Sequence, residues 1–153
     1  MYVNGIYQCE HYGLEELYPQ RFFGRNKSKI NLWKLWDERI LKTFDMLKMT
    51  YSPDDPVLIN DWLWGGNFQY SGFRPFTCPE GAEFSMHKWF KAGDLKFSNY
   101  DVQKIIKDIK KDPFAEPFQY ITCIEVGKEI TWLHVDSRNW DKEKDGLFII
   151  TLK

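Results

Sequence analysis

Of the three histidines in the 153-residue sequence, two stand in settings that could do chemistry. His87 occurs in Ser85-Met86-His87, seven residues before Asp94, and His134 occurs in Trp132-Leu133-His134-Val135-Asp136. His11 has no comparable setting. Two neutral imidazoles and one carboxylate, with a position left open for water, form a standard catalytic zinc arrangement: the nitrogens and the hard oxygen hold the ion while water is activated. The plainer alternative is a histidine satisfied by hydrogen bonds inside a core, which is the commoner fate of a lone His on a strand.

Elements that would position these residues follow from periodicity. Asp37 can cap a helix in which Ile40, Leu41, Phe44 and Leu47 recur on one face, with Glu38, Lys42 and Asp45 left for solvent. Before it, residues 13–17 form one helical turn that Pro19 closes. Residues 52–56 are a turn cluster with two prolines, and Val57, Leu58 and Ile59 after it suit a short central strand. Residues 61–83 combine glycines and prolines with aromatics, which is loop chemistry, and long ordered loops usually carry function. Ser98 or Asn99 can cap a second helix with Val102, Ile105, Ile106 and Ile109 inward and its lysines mostly outward, ending at Pro113. Residues 118–126 and 129–135 predict a hairpin turning at Gly127 and Lys128, and residues 147–152 a further strand. The sum is an α+β architecture: helices packed on a small antiparallel sheet.

Composition narrows the classes. The length suits one domain spanning residues 1–153. A formal net charge of -1 offers no field for steering polyanions, so nucleic acid is excluded as a partner. Aromatics make up 18 % of the chain and crowd between Trp62 and Phe90. Core packing is the plain explanation for them, and a ring-lined groove for glycan or peptide is the alternative. Cys9, Cys78 and Cys123 are an odd number without a close pair, which argues against a disulfide framework. Neither a standard signal peptide nor a stretch long enough to cross a bilayer is expected, so no membrane partner is.

The order Ser71-Gly72-Phe73-Arg74, Ser85-x-His87, Asp94, Trp132-x-His134-x-Asp136 resembles the D-alanyl-D-alanine carboxypeptidase and Hedgehog-type zinc peptidase superfamily. That group shows a Ser-Gly-Tyr-Arg segment, a Ser-x-His-x-x-Gly-x-Ala-x-Asp segment and a late Trp-x-His-x-Asp strand. The resemblance covers residues 57–140 and implies that His87, Asp94 and His134 ligate zinc in a Hedgehog/DD-peptidase-like fold, while Arg74 faces a substrate carbonyl or carboxylate. A surface ion pair is the plain alternative for Arg74. Ala92 also matches, whereas Phe90 replaces the usual Gly, so the turn between His87 and Asp94 is expected to be built differently. Asp136 could orient a ligand histidine and Ser85 brace the loop of His87, against a plain reading as turn or cap chemistry. The opening residues are similar to phage-encoded members, which implies a phage or prophage protein that meets peptidoglycan peptide and other virion proteins, found in the host cytoplasm before release or in the virion.

Members of the group carry an acid three residues before the last histidine, where this sequence has Thr131. Threonine cannot take a proton from water near neutral pH, so another carboxylate must serve if hydrolysis is retained. Glu125 and Glu129 are the candidates. A turn at Gly127 and Lys128 would pair Glu125 with Ile130, on the face of His134 but roughly 13 Å from it along the strand. Glu129 would point to the other face, and a solvated hairpin tip is the plain alternative for both.

Overall fold

The structure is a computed structural model, and it describes residues 1–23 and 29–153. Its longest helix is α4, Glu38–Tyr51, which follows α1 (Leu14–Leu17), α2 (Gln20–Phe23) and α3 (Lys29–Leu35). Asp37 caps α4 by accepting from the Arg39 N–H at 3.0 Å. Ile40, Leu41, Phe44 and Leu47 form its buried face. Asp45 is also buried, contrary to its expected place in solvent. Its carboxylate accepts from the Tyr7 hydroxyl and from the backbone N–H groups of Glu10 and His11, all within 3.0 Å, so it pins the N-terminal segment to the helix. That segment holds a two-stranded hairpin, β1 (Tyr2–Val3) and β2 (Ile6–Tyr7). Neither α2 nor α3 was expected from periodicity, because each is too short to display it.

Five strands form the main sheet in the order β3-β4-β6-β5-β7: β3 is Val57–Leu58, β4 Ala92–Phe97, β5 Cys123–Val126, β6 Leu133–Asp136 and β7 Phe148–Thr151. Three pairings are antiparallel, but β5 and β7 run parallel, so this sheet is mixed where a wholly antiparallel one was expected. The reason is the crossover through α6 (Lys142–Asp145), which returns the chain to the far side of β5. The strand at Val57 lies at the edge of the sheet, not in its centre. Residues 118–122 are not strand either: Glu116–Phe118 is a 3-10 turn, and pairing starts at Cys123.

Helix α5, Val102–Lys111, buries Val102, Ile105, Ile106 and Ile109 against the sheet side of the core. Asp101 is its cap, accepting from the Gln103 N–H at 2.9 Å. Ser98 and Asn99, the expected caps, are bonded instead to Pro56 and Asp55 of the preceding turn. One hydrophobic cluster joins α1, α4, α5 and one face of the sheet, through Leu17, Phe44, Leu95, Ile105, Ile124 and Val135 among others. The fit is tight at Gly93, where a Cβ would stand 2.4 Å from the Phe44 ring. The three cysteines are free and buried, and no described helix is long and apolar enough to cross a membrane.

Candidate metal centre

Strand alternation sends Gly93, Leu95, Leu133 and Val135 into the hydrophobic cluster or its glycine gap, and sends Asp94 and His134 to the opposite face. Register then lines up a row. Asp94 on β4 pairs with His134 on β6. The β5–β6 ladder pairs Cys123 with Asp136 and Ile124 with Val135, which sets Glu125 opposite His134 when continued by one residue. Glu125 in turn pairs with Ile150 on β7. All four members of the row line one cleft of ≈ 280 Å³. The expected partner of Glu125, Ile130, is instead a buried residue in the connecting loop. The loop between β5 and β6 spans residues 127–132 and is longer than a two-residue turn, which slides the register toward the metal-ligating candidates.

His87 reaches the row from a 3-10 turn, Met86–Trp89, directly before β4. Its turn is closed by Phe90, which adopts φ 58°, the left-handed conformation in which glycine carries no Cβ penalty. The turn thus takes a backbone shape that suits glycine, but with a ring in place of a hydrogen. That ring is stacked on Phe73 at 4.2 Å between centroids and packs edge-on to Trp36. Ring packing holds a backbone conformation that costs about 1–2 kcal/mol in a non-glycine residue. The segment Ser71-Gly72-Phe73-Arg74 runs alongside, with the Asp94 N–H donating to Ser71 O at 2.8 Å and the Arg74 N–H to His87 O at 3.2 Å. Gly72 is required there, since a Cβ would stand 2.3 Å from Leu17 O.

Three atoms converge at the centre. His134 Nδ1 is 2.8 Å from Asp94 Oδ1, His87 Nε2 is 3.2 Å from the same oxygen, and the two ring nitrogens are 3.3 Å apart. A tetrahedral ion with bonds of about 2.0–2.1 Å places its ligand atoms about 3.3 Å apart, so this triangle has nearly the size of one tetrahedral face. Each histidine's other nitrogen is already committed. Gly72 O can only accept, so the His87 Nδ1–H at 2.7 Å donates to it, and Nε2 turns a lone pair inward. Asp136 Oδ2, 3.2 Å from His134 Nε2, does the same for the other ring. Two lone pairs and a carboxylate oxygen meeting in this way call for positive charge between them.

Burial opposes charge on His134, but the hydrogen bonds its ring donates to the Asp136 and Asp94 carboxylates overcome it and push its pKa up to about 10, so the positive charge this centre calls for can be a proton on the ring or a metal ion that replaces it. Burial would raise Asp94, yet the two histidines hold it well below the usual carboxylate range. Asp136, also opposed by burial, is held down at about 2 by His134 and Arg138. His87, Asp94 and His134 thus form a buried group able to hold a metal ion.

Around this centre, Arg74 donates from Nη2 to Asp94 Oδ2 at 2.9 Å and from Nε to Tyr70 O at 2.6 Å, so it belongs to the site and is no surface pair. Ser85 lines the cleft and caps the His87 turn through its backbone, with no cap bond from its hydroxyl. Thr131 and Glu129 are exposed, and neither lines the cleft. Arg138 was missed by sequence reasoning, although it stands two residues after Asp136 and clamps that carboxylate through Nε at 2.9 Å and Nη2 at 2.6 Å. The central aromatics divide between core and surface. Phe73 is buried in the core and Phe90 packs on it, whereas Trp64, Phe68, Phe76, Phe84 and Trp89 are exposed, with Phe84 at the cleft itself.

Comparison with family models, with curated proteins and with solved structures returned no match.

Proposed function

We propose that the chain is a zinc-dependent peptidase of the D-alanyl-D-alanine carboxypeptidase and Hedgehog-type group, acting on peptidoglycan stem peptides and encoded by a phage or prophage. The observation that carries this reading is the convergence of His87 Nε2, His134 Nδ1 and Asp94 Oδ1 within 3.3 Å of one another at the wall of an open cleft. Zinc is favoured by the donor set, two imidazoles and one carboxylate. When bound, it would supply Lewis acidity toward water and a carbonyl oxygen.

The chain's own residues divide the remaining work. Asp136 and Gly72 fix the orientation of the two imidazoles. Glu125, opposite His134 and facing the same cleft, accepts the proton from the attacking water and returns it to the leaving amine, the role that Thr131 cannot fill. Arg74 holds a substrate carboxylate or the developing negative charge of the carbonyl oxygen. Incubating zinc-loaded protein with peptidoglycan stem peptides and following the products by mass spectrometry tests the activity, and absence of cleavage would contradict it.

A second reading is a virion or wall-binding component that keeps the site and lacks hydrolysis. The observation in its favour is Thr131, exposed and away from the cleft where the resemblance implies an acid. Stoichiometric zinc without cleavage of any stem peptide would select it.

A further inference from the structure

Three cations stand around the metal-ligating group, and donor bookkeeping separates them. Lys96 has three N–H donors, and they are taken by Ile59 O at 2.9 Å, Ser71 Oγ at 2.6 Å and Asp94 O at 3.2 Å. It has nothing left for a ligand. An arginine has five donors in a fixed fork, and in both Arg74 and Arg138 only Nε and Nη2 are engaged by side chains or carbonyls among the described residues. Nη1 of each is uncommitted, and both residues line the cleft.

Their placement is fixed and two-sided. The hydrogen bonds run Arg74 to Asp94, Asp94 to His134, His134 to Asp136 and Asp136 to Arg138, so the two guanidinium groups flank His134 from opposite ends of one chain of contacts. Arg138 is further held with its guanidinium 5.0 Å from the Phe148 ring centroid. On the Arg74 side, a Cβ at Gly81 would stand 2.5 Å from Nη1, so the bare backbone at Gly81, itself part of the cleft wall, leaves the guanidinium room in this position. Anchored guanidinium groups with spare N–H donors are suited to carboxylates, and little rotamer entropy remains to be lost on binding.

We infer that the cleft selects a diacidic peptide, with Arg74 and Arg138 each taking one carboxylate on either side of the peptide bond presented to the metal-ligating group. The inference deepens the proposed peptidase reading and rests on it for the position of the scissile bond, while the anion selectivity itself can be read without turnover.

The test is calorimetric titration of the protein with acetyl-Glu-Ala, acetyl-Gln-Ala, acetyl-Glu-Ala amide and acetyl-Gln-Ala amide, with cleavage followed by chromatography in the same samples. Acetyl-Glu-Ala is expected to bind tightest, with removal of either carboxylate weakening it roughly 10-fold or more. Arg138→Gln is expected to erase the discrimination for one carboxylate and keep it for the other, and Arg74→Gln to do the reverse. Arg138→Lys keeps the charge and loses the fork, so it guards against a folding defect and should lose part of the same single preference. Equal affinity for all four peptides would overturn the inference, as would an Arg138 variant that is folded by circular dichroism and weakens all four by one factor. A preference of that size for each of the two carboxylates without cleavage would leave the inference standing and remove the hydrolytic reading.

Discussion

Asp94 and His134 are cross-strand partners on β4 and β6, and their side chains meet with Oδ1 2.8 Å from Nδ1. Two ligand candidates on adjacent strands of one sheet are held by backbone pairing, which is a stiffer support than a loop gives. His87 alone arrives from a turn, and its backbone is tied to Arg74 while its ring is tied to Gly72. The arrangement assigns separate, measurable consequences to neighbouring residues.

Glu125→Gln removes a proton acceptor at constant size in the row Asp94, His134, Glu125. The variant is expected to keep its metal and lose cleavage by roughly 100-fold or more. Glu129→Gln, on the exposed loop, is expected to match wild type. Steady-state kinetics on a stem peptide with metal content measured in parallel checks both, and full activity in Glu125→Gln would move the base elsewhere.

Phe90 separates backbone strain from ring packing. Phe90→Ala keeps the positive φ and loses the stacking on Phe73, whereas Phe90→Gly loses the ring but relaxes the backbone. Both should destabilise, and glycine should be the milder change by about 1 kcal/mol. Urea denaturation of the two variants measures this, and alanine proving the more stable would show that the φ of this turn carries no cost.

How much of this was legible in the sequence follows the range of each signal. The faces of α4 and α5 were legible because 3.6-residue periodicity is local, and His87, Asp94 and His134 were legible because the motif order exposes them. The helix cap at Asp101 was misplaced by a few residues, since Ser98, Asn99 and Asp101 are equally competent by type and only the contacts to Pro56 and Asp55 decide among them. Strand order is non-local, so the edge position of Val57 and the parallel β5–β7 pair had no sequence signal. The register of Glu125 depended on the true length of the 127–132 connection, and Asp45 gave no sign of its partners 34 and more residues away. Arg138 alone was recoverable, by extending the two-residue alternation past Asp136.

Gly93 explains the spacing between the site and the core. Gly93→Ala places a methyl 2.4 Å from the Phe44 ring, so either β4 or α4 must shift. A loss of about 1–3 kcal/mol is expected by overpacking. Combining it with Phe44→Leu should recover part of that loss, because the two changes share one space. Denaturant unfolding of the four proteins in the cycle decides it, and strictly additive effects would argue that the contact is not what glycine serves.

The central claim is that His87, Asp94 and His134 hold one metal ion, and metal analysis of purified protein tests it most directly. Protein dialysed against zinc and then against buffer is measured by inductively coupled plasma mass spectrometry beside His87→Ala and His134→Ala, each checked for folding by circular dichroism. One zinc per chain in wild type and well under half that in each folded variant is the predicted result, since a three-ligand site cannot spare an imidazole. Wild type without zinc, or either variant retaining a full equivalent, would contradict the assignment.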